Sequence, residues 1–172
     1  MQRLLRILLD ICLLRAGPQD LPHSRSLLGL ALAGYVLVSW LLSVPVYPVA
    51  NAFLIALVDL TLLLLFAVSL LFIAGKTARI NQTLAALTGT GTLLGLVALP
   101  LVQILSREQL AEQLALSVGM LWLALFGWSL IVVAHIMRHA MSVSLPVAIG
   151  VSVVYVLVAI QIVGAFSSAG AA

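Results

Sequence analysis

Few residues in this chain can do chemistry, and the one that stands out is an acid in apolar surroundings. Asp59 interrupts the stretch FLIALVDLTLLLLFAVSLLF, residues 53–72. In a membrane-spanning helix it lies roughly 10–12 Å below the outer end at 1.5 Å per residue. A central Asp costs about 2.5–3.5 kcal/mol to insert, so it must face protein or a wet cavity rather than lipid. Counted from the same end, Trp122, Tyr155 and Gln161 fall at comparable or neighbouring depths, with Ser117 and Gln103 nearer the surface. All carry donors that suit a carboxylate. The expectation is a polar cluster in the outer half of a bundle, centred on Asp59, that holds a ligand, proton or cation. The competing reading is a single interhelical hydrogen bond, worth about 0.6–2 kcal/mol, that only fixes packing.

Other patterns give less chemistry. His135 and His139 stand at i and i+4 in AHIMRHA, a zinc-compatible spacing. A zinc site needs three or four ligands, and neither an HExxH pattern nor a nearby carboxylate completes one. With His23 the one remaining histidine, haem is no better served, and the pair reads as headgroup or helix-end contacts. No metal and no cofactor is expected. LTGTGTLLGL, residues 87–96, spaces Gly89, Gly91 and Gly95 as G-x-G-x-x-x-G, one residue longer than the dinucleotide fingerprint and with no preceding strand. Gly91 and Gly95 instead form GxxxG, which lets a neighbouring helix approach closely, and Gly29 with Ala33 is expected to do the same. No nucleophile with its base, no paired acids and no phosphate cradle is present, so no catalytic residue is assigned and an enzyme is not expected.

The elements that must position these residues follow from composition. Of 172 residues, 64% are hydrophobic and only 8% charged, against about 45–50% apolar in soluble domains. Five apolar stretches, 27–44, 52–74, 84–105, 114–137 and 145–166, each approach the roughly 20 residues that cross a bilayer as helix. The breaks between them are short and marked by Pro45 and Pro48, Gly75, the charged run after Ser106, and Arg138 to Ser144. Ser106 and Gln109 have capping-box spacing and are expected to start the fourth span. Ser144 before Leu145 and Pro146 is expected to start the fifth.

The net charge of +3 comes with only eight Lys and Arg in no dense patch, so nucleic acid is not an expected partner. The basic residues read as topology markers. With the N-terminus cytoplasmic, Arg3, Arg6, Arg15, Arg25, Lys76, Arg79 and Arg138 lie inside and only Arg107 outside. A multi-pass protein of a bacterial inner membrane is expected, with residues 167–172 as an extracytoplasmic tail. Residues 1–26 form a cytoplasmic segment. Arg6 and Asp10 break its apolar run and no small-x-small cleavage site precedes Gly17, which argues against a signal peptide. Arg3, Arg6 and Asp10 share one helical stripe and Leu4, Leu5, Leu8 and Ile11 cover much of the rest, so it reads as an amphipathic interfacial helix, or as a helix packed on the bundle. Cys12 is the only cysteine, which excludes an intramolecular disulfide.

Asp20, Leu21 and Pro22, in GPQDLPHSRSLLGL just ahead of the first span, together with the five-span layout, resemble the Yip1 family. Its members have a cytoplasmic N-terminus and an Asp-Leu motif with proline at this place. The Tyr-Gly pair of eukaryotic members is missing here, and the compact size looks more like bacterial ones. The resemblance implies the five-span fold and carries no role in vesicle traffic over to this chain. The expected fold class is thus all-α, an integral membrane bundle of five transmembrane helices behind an N-terminal amphipathic helix. The expected function is that of a non-enzymatic organiser or accessory subunit that binds membrane lipid, a second membrane protein or further copies of itself. The alternative is a small transporter or channel with Asp59 as its proton or cation site.

Overall fold

The computed structural model describes residues 2–107 and 109–169. Its elements are α1 (Gln2–Cys12), a 3-10 turn (Pro18–Asp20), α2 (Arg25–Ser43), α3 (Val49–Ile73), a second 3-10 turn (Thr77–Arg79), α4 (Ile80–Leu105), α5 (Glu112–Met141) and α6 (Leu145–Ala169). The fold is all-helical among the described residues, and α2 to α6 are each long and apolar enough to cross a membrane. Of the tail expected at 167–172, residues 170–172 lie outside the described residues.

These segments are helical because a bilayer offers no water to satisfy backbone polar groups, so each span must bond its own. They are apolar on every side, the pattern of helices bathed in lipid. Even the most enclosed span window, in α4, is only 33% buried inside the bundle, so the outward leucines and valines need hydrocarbon around them. This is a multi-pass membrane architecture.

Local chemistry sets the ends. The Ser24 hydroxyl accepts from the Leu27 amide at 3.3 Å and caps α2. Gly75, at φ +65°, closes α3 in the left-handed conformation that glycine adopts without strain. Arg79 donates to the carbonyls of His139 (3.0 Å) and Ala140 (3.2 Å) and to the Ser142 hydroxyl (3.0 Å). One guanidinium thereby supplies donors to the carbonyls that the end of α5 leaves unpaired. α6 begins at Leu145 with Pro146 in its first turn, as its sequence predicts.

The capping box expected at Ser106 does not form. α4 runs through Pro100 to Leu105, Ser106 ends it by donating its hydroxyl to the Val102 carbonyl at 2.7 Å, and α5 starts only at Glu112. A serine hydroxyl both donates and accepts, and here it satisfies a carbonyl of the helix behind it instead of an amide of the one ahead. Glu108, counted with this loop, lies outside the described residues.

α4 is the hub of the bundle. Every residue from Gln82 to Thr90 is buried, enclosed by α1, α2, α3 and α5, with α2 its closest partner. The continuous core gathers at the end of the bundle that carries α1: Leu71 of α3, Leu84 to Leu87 of α4 and Ile136, Met137 and Ala140 of α5 close around Ile11 and Leu21. α1 is docked there. Leu4, Ile7 and Leu8 pack on the core, while Leu5 and Leu9 stay exposed. A Cβ on Gly89 would come within 2.8 Å of Leu8, so the missing side chain makes the notch that Leu8 fills. The Trp128 indole donates to the Cys12 carbonyl (3.0 Å), His135 Nε2 meets the Ala16 carbonyl (3.0 Å), and the Gln82 amide donates to the Leu21 carbonyl (2.6 Å).

Candidate functional site

Asp59 receives its hydrogen bonds from α2. The Tyr35 hydroxyl donates to Asp59 Oδ2 at 2.7 Å and the Ser39 hydroxyl to the same oxygen at 3.4 Å. Tyr35 and Ser39 are four residues apart, so they share one helical face. Asp59 Oδ1 takes part in no hydrogen bond with the described residues. No buried side-chain nitrogen or oxygen among them lacks a partner, so Oδ1 is reached from open space.

That space is a cavity of about 630 Å³ walled by α2 to α6. Its polar wall consists of Tyr35, Ser39, Tyr47, Asp59, Thr90, Trp122, Ser129 and Tyr155, and the rest is aliphatic, aromatic or glycine. It runs from the middle of the bundle, at Leu87, Val133 and Tyr155, to the end opposite α1, at Tyr47, Ala98 and Gly164. Its size falls in the roughly 300–1,000 Å³ of small-molecule sites.

α4 sets the geometry of the carboxylate's partners. A Cβ on Gly91 would lie 2.7 Å from Tyr35 Cε2, and one on Gly95 would lie 2.6 Å from Val38 Cγ1. The GxxxG pair therefore opens the groove in which the Tyr35 ring lies while its hydroxyl reaches Asp59. Gly34 completes the seam, where a Cβ would lie 3.3 Å from the Thr92 side chain. Thr88, Thr90 and Thr92 donate to the carbonyls of Leu84, Ala86 and Thr88 at 2.7–2.8 Å. Their hydroxyls are satisfied within α4 and cost the apolar interior little.

The residues expected around Asp59 divide. Trp122 lines the cavity, stacked on Phe126 with ring centroids 5.5 Å apart and planes 8° apart. Tyr155 is buried on the wall against Phe66, centroids 4.8 Å apart. Gln161 is exposed and forms no part of the wall. It lies six residues beyond Tyr155, about 9 Å along the helix and 240° round it, and so is turned away from the wall. Ser117 and Gln103 are likewise exposed. Gly29 and Ala33, expected as a packing pair, face outward, and a Cβ on Gly29 would meet nothing within 4 Å. The α2 glycine used for packing is Gly34.

Tyr35 and Ser39 were not among the partners expected for Asp59, yet a simple count finds Tyr35. Tyr35 is twelve residues before Tyr47 and Asp59 twelve after it, so a tight antiparallel hairpin turning at the Pro45 to Pro48 segment puts them at one depth. The histidine pair stands edge to face at 4.6 Å between centroids, with His135 engaged by the N-terminal segment. No group of three potential metal ligands occurs among the described residues. Asp20 accepts from the Gly17 amide at 2.8 Å, so the Asp-Leu-Pro stretch here shapes the turn that ties α1 to α4.

No family model, curated protein or solved structure matches this chain.

Proposed function

We propose that this is a non-enzymatic multi-pass membrane protein that binds an apolar or amphiphilic molecule, with membrane lipid the class at hand, inside its helix bundle. The observation that carries the reading is the cavity of about 630 Å³, apolar over most of its wall and bearing one carboxylate, Asp59, with its hydroxyl donors Tyr35 and Ser39. Such a wall suits a ligand with a long apolar body and a single polar end. Seven of the eight basic residues, all but Arg107, fall on the α1 end of the bundle, which supports a cytoplasmic N-terminus, and a bacterial inner membrane is part of the proposal. The likeness to the Yip1 family is a proposal of the same kind, supported by the span count and the Asp20 to Pro22 stretch.

Native mass spectrometry of the protein purified in mild detergent tests the reading. A lipid-sized adduct at one per chain, lost when Ala159→Phe on the cavity wall occupies its space, is the expected outcome. Adduct-free spectra under conditions that preserve the fold would count against it. A second reading, transport of a proton or cation, is favoured by one observation: the Asp59 carboxylate is on the wall of a cavity that extends to the end of the bundle.

A further inference from the structure

Asp59 is the only formally charged side chain on the cavity wall; no Lys, Arg or His among the described residues lines it. Both of its hydrogen bonds enter Oδ2 from hydroxyl donors, which leaves the carboxylate in the role of acceptor and Oδ1 open. A carboxylate in an apolar surrounding without a protein counter-ion is costly, and a positive partner removes that cost. The rings on the same wall, Tyr35, Trp122, Phe126 and Tyr155, add faces that attract a cation by their quadrupoles.

Resting on the ligand-binding reading above and sharpening it, we infer that the cavity takes a lipophilic cation: an amine or other onium group on an apolar body, its positive centre against Asp59 Oδ1. The aliphatic wall formed by residues such as Leu94, Leu125 and Val163 receives the body. The volume accommodates a drug-sized molecule. A neutral amphiphile of the same length would fill the same apolar space and gain at most a hydrogen bond from the acid, without neutralising its charge.

The test uses the full chain in nanodiscs of zwitterionic lipid, titrated with tritiated tetraphenylphosphonium, with empty discs supplying the partition background. Saturable binding at one per chain is expected, displaced by dodecyldimethylamine and not by dodecanol. Asp59→Asn should weaken it by about tenfold or more, the equivalent of one lost charge contact, and Asp59→Glu should keep it. Equal displacement by the alcohol and the amine, or unchanged affinity in a folded Asp59→Asn protein, overturns the inference. The amine against alcohol comparison needs only the wild-type protein, so it decides the matter even where the variant does not fold. Failure of the two readings is separable: a retained neutral lipid without preference for cations sinks the charge inference alone. No saturable binding of any of these probes, together with adduct-free native spectra, sinks both.

Discussion

The two ends of the bundle are built from the same kinds of residue and behave differently. At the α1 end, Ile11, Leu71, Ile136 and Met137 are wholly enclosed, and α1 with its following turn closes the space between α4 and α5. Toward the opposite end α2 to α6 line the cavity, where the side chains are mostly half-buried. In lipid there is little hydrophobic gain in bringing apolar helices together, so packing and small residues decide where they touch. The contrast teaches that one end carries the closed core while the other leaves space inside the bundle, the space that the proposed ligand would fill. Asp59, with Tyr35 and Ser39, lies on the boundary.

Chemistry at the closed end offers the largest contrast. Burial pushes the Cys12 thiol up to about 11, from an ordinary 9.0. The thiolate is the reactive form, so two units mean roughly a hundredfold less of it at neutral pH. Maleimide should therefore label Cys12 about a hundredfold more slowly in the folded protein than after denaturation in SDS, recovering only as pH rises toward 11. Similar rates in both states would mean that the α1 end is open. Next in size, Leu71→Ala should cost about 2 kcal/mol in reversible unfolding, the low end of the range for such truncations because in lipid mainly the packing loss remains. Leu125→Ala on the cavity wall should cost less than about 1 kcal/mol, since its surroundings are already open. Equal costs would erase the distinction between the ends. A cost between those two tests the boundary: Gly91→Ala pushes a methyl to 2.7 Å from the Tyr35 ring and should destabilise by about 1 kcal/mol. Because Tyr35 is then displaced from Asp59, the same variant should alter cation binding while Leu71→Ala does not.

The spans, their order and the short connections were legible because hydrocarbon imposes a simple rule on composition and length. Depth was legible too, which is how Trp122 and Tyr155 came to be placed beside Asp59. Rotation was not. Span sequences apolar on every side leave no stripe to show which face turns inward, and so Gln161, Gly29 and Ala33 looked as suitable as residues that do face the bundle. The GxxxG pair at Gly91 and Gly95 marked a close approach, yet only the structure shows that the partner is the tyrosine serving Asp59. Ser106 looked like a beginning and is an end, because a hydroxyl suits either role and sequence spacing does not choose between them.

The ties at the closed end join distant parts of the chain: Arg79 reaches His139, Cys12 reaches Trp128 and Ala16 reaches His135. During synthesis, then, α1 emerges before α2 to α6 yet finds its complete seat only once α5 has been made. Until that moment the leucines of α1 lack part of the core that encloses them in the finished fold.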